Sequence, residues 1–219
     1  YKTCGVWNSA EEIAANPHFS DDAPGGIRIV DTNNDGSLTP EDRVALGTPY
    51  PDFTWGITNT FQIKDFDISF LIQGVQGITV LNGDVYYNET KKWNKKYTKN
   101  RWVSAEHPGD GKTPYQNVKT GHDLMLTDYP LQNASYACLR NFTVGYTLPA
   151  TAARKIKLSG VRFYVSGSNL LYIWGSGYKG INPESRMTSG NYSSAMISGY
   201  QRGGFPLTST ISAGFDINF

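Results

Sequence analysis

The feature that most constrains this chain is a two-residue period running through its final stretch, "LTSTISAGFDINF". Apart from Ser209, one face carries Leu207, Ile211, Ala213, Phe215, Ile217 and Phe219. The other carries Thr208, Thr210, Ser212, Gly214, Asp216 and Asn218. Side chains alternate across a strand, so this is a strand with one apolar and one polar face. The period recurs in four other places. Residues 53–63 align Phe53, Trp55, Ile57, Phe61 and Ile63, and Lys64-Asp65 has the length of a hairpin turn. Residues 66–74 return with Phe66, Ile68, Phe70 and Ile72 opposite Asp67, Ser69 and Gln73. Residues 135–148 place Tyr136, Cys138, Phe142, Val144, Tyr146 and Leu148 together, with Arg140 breaking the face. Residues 161–171 gather Val161, Phe163, Val165 and Leu171.

Helical periodicity is confined to two short stretches. "SAEEIAANPHF" offers about two turns, with Ser9 as N-cap and Pro17 as the stop. "TPEDRVALG" predicts a short helix with Thr39 as cap, Pro40 in the first turn and Gly47 as terminator.

The predicted strands match the ~9–11 residues that cross a bilayer better than the ~5–6 usual in soluble sheets. Their connections alternate short, long, short, long. Tail-to-head alternation therefore puts both short turns at one end of the sheet and both long loops at the other. Membrane barrels sort their loops this way, and aromatic residues at the strand ends, such as Trp55, Phe61, Phe66 and Tyr146, suit their interfacial girdles. The 39% hydrophobic content includes no run of ~20 apolar residues, but a barrel needs only alternate residues to face lipid. Five strands cannot close in lipid, so the chain is expected to be the C-terminal piece of a larger barrel. The expected fold is all-β, an antiparallel transmembrane β-barrel with long extracellular loops. Residues 1–51 would form one such loop, and residues 52–219 the strands and remaining loops. The alternative from the residues alone is a secreted, calcium-stabilised carbohydrate-binding β-sandwich, whose apolar faces would meet in a dry core.

Several stretches carry a family resemblance in matching order and spacing: "IRIVDTNNDGSLTPEDRVALGTPYPDFTWGITNTF", "FDISFLIQGVQG", "NASYACLRNFTVGYTLP", "VRFYVSGSNLLYI", "GYKGINPES" and "FPLTSTISAGFDINF". The chain resembles the C-terminal part of the SusC/RagA family of TonB-dependent outer-membrane transporters of Bacteroidetes. It departs from the usual pattern at Cys138 and in the individual loop of residues 78–130. The resemblance implies a 22-stranded barrel, of which these would be the last five strands, with a plug domain and TonB box elsewhere. It implies location in the outer membrane of a Gram-negative cell and import of an oligosaccharide or peptide. The implied partners are a SusD-like surface lipoprotein as lid, TonB–ExbB–ExbD, the outer-membrane assembly machinery and the lipid bilayer. The closing Phe215, Ile217 and Phe219 resemble the signal by which such proteins present themselves for assembly.

One stretch has a chemical signature. "DTNNDGSLTPED" has the spacing of a calcium loop: Asp31, Asn33 and Asp35 at positions one, three and five, Gly36 at six and Asp42 at twelve. The Ser37 carbonyl would serve at seven, and Thr39 at nine. Such a loop supplies the six to eight hard oxygens Ca2+ takes, although Asp42 is one methylene shorter than the usual Glu. The ion would stiffen an outside-facing loop. An Asx-rich turn without metal fits the same residues.

Tyr86, Tyr87, Trp93, Tyr97 and Trp102 interleave with lysines and Arg101, suiting sugar rings or an acidic partner, with lipoprotein contact preferred among those roles. The alternative is a solvated loop packed on its neighbours. No nucleophile motif accompanies His18, His107 or His122, and no Gly-rich phosphate loop is present, so an enzyme is not expected. A net charge of +1 without a basic cluster argues against nucleic acid. Cys4 and Cys138 are too few for a disulfide framework or zinc site.

Overall fold

The computed structural model describes residues 1–85, 99–115, 124–175, 177–185 and 199–219. In chain order its strands are β1 (Thr3–Val6), β2 (Ile27–Ile29), β3 (Phe53–Ile63), β4 (Phe66–Gln76), β5 (Thr79–Asn82), β6 (Leu131–Asn133), β7 (Tyr136–Thr147), β8 (Gly160–Trp174), β9 (Tyr200–Gln201) and β10 (Thr210–Asn218). Helices α1 (Ala10–Ala14) and α2 (Ala150–Lys155) stand among them. The chain divides into two units. One comprises residues 1–49, 79–132 and 186–204, the other residues 50–78, 133–185 and 205–219.

The second unit is built on one antiparallel sheet in the order β10-β8-β7-β4-β3, each strand beside its neighbour along the meander. Strand lengths are 11, 11, 12, 15 and 9 residues for β3, β4, β7, β8 and β10. The predicted hairpin forms at 64–65, with Lys64 at φ 55 supplying the positive angle that a tight turn between twisted strands requires. Connections 64–65 and 148–159 leave from one end of the sheet, and 77–135 and 175–209 from the other.

Cross-strand partners share a face, so the register shows where each side chain belongs. Ile63, Phe66, Tyr146 and Phe163 follow one another across β3, β4, β7 and β8, and Phe163 pairs in turn with Phe215 of β10. Phe61, Ile68, Val144, Val165 and Ala213 form the next row. Most apolar residues of the five strands therefore lie on one face, with Leu71 and Val75 of β4 on the other. On the apolar face Phe53, Ile57, Phe61, Ile63 and Phe66 are 46–59% exposed. Phe163, Val165, Leu171, Ile173, Ile211, Phe215 and Ile217 are 40–74% exposed. A large apolar side chain gains ~1.5–3 kcal/mol on leaving water. Half-exposing these would forgo on the order of 10–20 kcal/mol, as much as the ~5–15 kcal/mol net stability of a domain. This face is built for an apolar solvent. A soluble sandwich would need a second sheet over it, and the described residues supply none.

The sequence reading of 135–148 needs one correction. The β4–β7 register skips Arg140, passing from Leu71↔Asn141 to Ile72↔Leu139, and the β7–β8 register shifts at the same place. A bulge residue reverses the alternation beyond it. Leu139 and Ala137, opposite Ile72 and Gly74, thus continue the apolar face. Cys138 and Tyr136, expected beside Phe142, lie on the polar face instead. Arg140 joins them there, so the apolar face runs on unbroken.

The first unit has a buried apolar core. Tyr1, Ile27 and Ile29 form a cluster against which Val6, Phe19, Leu38, Leu124 and Tyr129 pack. Trp7 is fully buried, with the Arg28 guanidinium 4.8 Å from its ring centre. Ser9 caps α1 as predicted, accepting the Glu12 N–H. The helix predicted from Thr39 to Gly47 is only a 3-10 turn, Pro40–Asp42. Thr39 caps it as expected, but Arg43 is already extended.

Candidate functional site

The polar face of the large sheet gathers its charged groups into two clusters. Near the long-loop end, Arg140 is held from several directions. Its Nε donates to Gln73 Oε1 (3.3 Å), and its Nη1 donates to Asn169 Oδ1 (2.8 Å) and Tyr172 Oη (2.9 Å). The remaining donors meet Glu184, with Nη2 to Oε1 at 2.5 Å and Nη1 to Oε2 at 3.4 Å. That two-point contact is the strong geometry for a guanidinium and a carboxylate. Two local features assemble it. The bulge presents Arg140, and Asn169 at φ 55 turns β8 toward it. Asn182 Oδ1 accepts the Glu184 N–H (2.9 Å) and sets the carboxylate in place. Burial pushes the Glu184 carboxyl up, but bonds from Arg140 and the Tyr136 and Tyr172 hydroxyls outweigh it and hold the group below the usual glutamate value. Glu184 thus stays ionised, and the segment carrying it is pinned to the polar face.

Near the short-turn end, Arg162 donates from Nη2 and Nε to the two carboxylate oxygens of Asp67 (2.6 and 2.9 Å), and from Nη1 to Asp216 (3.2 Å). Arg162 is on β8 and Asp67 on β4, so the side chain reaches across β7. Gly145 of β7 makes the crossing possible, since a Cβ there would sit 2.3 Å from Asp67 Oδ1 and 2.5 Å from Arg162 Nη2. Both clusters pair a guanidinium with carboxylate, and the first adds the Tyr172 hydroxyl. The contacts of the two clusters tie strands, and the segment carrying Glu184, to one another across the polar face. Among the described residues no group of three or more His, Cys, Asp and Glu side chains converges as a metal cage.

The calcium-type loop is closed on itself. Asp31 accepts the Asn34 and Gly36 N–H groups (2.7 and 2.9 Å), and Asp35 accepts that of Ser37 (2.8 Å). The Asn33 amide donates to Asp35 Oδ2 (2.9 Å). Asp42 is buried and accepts the N–H groups of Thr32 and Thr39 (2.8 Å each). Those bonds, that of Thr39 foremost, hold its carboxyl below the usual aspartate value. The loop thus carries its oxygens on Asx turns, and a cation would compete with its own amides for them.

Of the aromatic group, Tyr86, Tyr87, Trp93 and Tyr97 lie outside the described residues. Trp102 turns inward within the first unit, donating its indole N–H to Asn8 (2.9 Å) and meeting Tyr115 edge-on at 5.9 Å. Phe215 and Ile217 pair with Phe163 and Val161, and Phe219 is 94% exposed. Both cysteines are free thiols. The sequence reading missed the Arg140–Glu184 and Arg162–Asp67–Asp216 clusters. Their one local signal was an arginine in an otherwise alternating strand.

No family model matches the chain. Individual relatives do. TonB-dependent receptor P26 of Formosa agariphila is 30% identical over 228 residues, covering 100% of this chain and 22% of the relative. TonB-dependent receptor SusC of Bacteroides thetaiotaomicron is 27% identical over 71% of this chain and 15% of its own length. Among solved structures, the RagAB peptide importer in its open-open state aligns over 100% of this chain and 22% of the matched chain, at TM-score 0.66 and 17% identity. This chain belongs with the SusC/RagA-type TonB-dependent receptors. It spans about a fifth of the length of the P26 relative. The five-stranded SusC/RagA sheet is accordingly an open piece of a transmembrane β-barrel wall. Receptors of this SusC/RagA type are outer-membrane proteins.

Proposed function

We propose that this chain supplies wall and loops to an outer-membrane importer of a nutrient oligomer, either oligosaccharide or peptide. Import would be driven through TonB–ExbB–ExbD, with a SusD-like surface lipoprotein as lid. The observation that carries the reading is the uncovered apolar face of the sheet, backed by a polar face of paired charges. Single cysteines placed along β7 and β8 of the complete receptor, after replacing Cys4 and Cys138, test it. Thr143→Cys and Ser166→Cys should react with a water-soluble maleimide in permeabilised cells, while Val144→Cys and Val165→Cys stay protected. Equal labelling of both sets would remove the barrel wall and the transport reading with it. Loss of oligomer uptake on deleting the gene, or on collapsing the proton gradient, tests the importer assignment separately.

Three site proposals accompany it. The loop of Asp31, Asn33, Asp35, Ser37 and Asp42 is proposed as a weak structural calcium site, supported by its spacing. A rise in melting temperature with millimolar Ca2+, reversed by chelator, checks it. Tyr86, Tyr87, Trp93, Tyr97 and Trp102 are proposed as the lipoprotein-facing group, supported by their interleaving with cations. Phe215, Ile217 and Phe219 are proposed as the assembly signal, supported by their alternation along β10 and the residue that follows it.

A further inference from the structure

A pocket of about 590 Å3 opens at the long-loop end of the sheet, lined in part by Trp55, Gln76, Asn133, Ser135, Ala137 and Ile173. Trp55 and Ala137 both pair with Gly74, and Ile173 pairs with Ala137, so all three lie in one row of the apolar face, next to the Phe53–Gln76 pair at its end. The Trp55 indole lies directly over Gly74, where a Cβ would come within 2.2 Å of its ring. The ring occupies the space that a side chain at position 74 would fill, and Trp55 stays half-exposed there. Above this floor come polar groups from the connections. Ser135 Oγ accepts the Gly77 N–H (3.0 Å), leaving its own O–H to donate. Asn133 Oδ1 accepts the Ser135 N–H (2.9 Å), leaving its NH2 group to donate. Gln76 is exposed beside them. None of the described residues that line the pocket is charged.

We propose that this pocket is an interfacial lipid site selective for an uncharged saccharide headgroup. The sugar ring stacks on Trp55 and takes hydrogen bonds from Asn133, Ser135 and Gln76, while the acyl chains run down the apolar face past Ala137 and Ile173. Amphipathic aromatics belong at this depth, where an apolar body and a polar tip meet different solvents. Uncharged amides and hydroxyls around a ring face match sugar hydroxyls. The described lining offers hydroxyl and amide groups and none of the cations that the charge-assisted bonds of a phosphorylated headgroup call for. Tyr136 and Trp174 of the lining belong to the polar face, but Trp55, Ala137 and Ile173 continue directly into the apolar belt, which favours a lipid-linked sugar over a free one. The inference rests on the barrel-wall reading above.

The test uses the complete receptor in nanodiscs of phosphatidylethanolamine with a minor fraction of monoglucosyl diacylglycerol, read by native mass spectrometry of the retained lipids. The wild type should retain the glucosyl lipid well above its share of the bilayer. Trp55→Ala should reduce that enrichment about five- to tenfold, the loss of one ring contact. Trp55→Phe should restore part of it, and Asn133→Leu should reduce it without changing the maleimide labelling pattern. Three results would overturn the proposal: equal retention of phosphatidylethanolamine, enrichment indifferent to both Trp55→Ala and Asn133→Leu, or displacement of the lipid by free glucose. A receptor that inserts with the alternating labelling pattern but shows no enrichment defeats this site alone. One that cannot enter the nanodisc defeats the barrel-wall reading as well.

Discussion

Within one chain, two regions handle the same kinds of side chain in opposite ways. In the first unit, Trp7 and Ile27 are 0% and 1% exposed, beneath short strands and capped turns. In the sheet unit, Phe215 and Ile211 are 65% and 74% exposed on a regular, fully paired ladder. Composition does not separate the regions; periodicity does. Where apolar residues come irregularly, as around Trp7, the chain wraps them. Where they come every second residue over strands of 9–15 residues, they line up on one face and leave the covering to the surroundings. One region is adapted to water and the other to a boundary between water and oil.

The contrast can be broken from either side. The largest effect is expected for Trp7→Ala, which empties a fully buried site and should cost the first unit about 3–5 kcal/mol. Faster limited proteolysis of that unit in the intact receptor would show it. Next is Val165→Lys, which places a charge on the apolar face at about 2–4 kcal/mol if near mid-bilayer. Its control, Ser166→Lys, faces the polar side and should be tolerated. Loss of the heat-resistant folded band for the first variant but not the second checks the pair. If both are tolerated, the two faces are not in different solvents.

Glu184→Gln keeps the shape but removes the charge opposite Arg140. The partners are only partly screened, with side chains 23% and 29% exposed, so the cost is about 1–2 kcal/mol. Easier cleavage within residues 177–185 should report it. A pH series sharpens the comparison further. Asp42 has a depressed folded value, so its contribution is complete above the unfolded aspartate value and is lost as pH falls through the folded one. Acidification below the ordinary aspartate range should therefore loosen the 31–42 loop, seen as faster amide exchange at Thr32 and Thr39. The smallest effect belongs to Lys64→Gly, which relieves a positive φ and should stabilise the hairpin by a few tenths of a kcal/mol. Thermal denaturation of the folded band would detect it.

Much of the sheet was legible because strand and turn signals agree locally. Phe53–Ile63 was read to both ends, and Ser9 and Thr39 were read as caps. What escaped depended on distance or on a single inserted residue. The bulge shows in the sequence only as Arg140 interrupting the alternation, yet it moves Tyr136 and Cys138 to the opposite face. Residues 43–47 have helical composition. Asp42, however, spends both carboxylate oxygens on Thr32 and Thr39, and that closure ends the turn. Helix α2 was overlooked although Pro149 followed by an alanine-rich run announces it. The Arg140–Glu184 pair joins residues 44 apart, which no local pattern reveals.

The crossing of Arg162 over Gly145 has a mechanical consequence. Strand β10 hydrogen-bonds only to β8 within this sheet, yet Arg162 ties Asp216 of β10 to Asp67 of β4, three places away in the strand order. A force peeling β10 from its neighbour would therefore load a rivet anchored deep in the sheet as well as the seam at its edge. Removing the rivet, by Asp67→Asn or by crowding it with Gly145→Ala, should let the last strand unzip at lower tension while the remaining seams keep their strength.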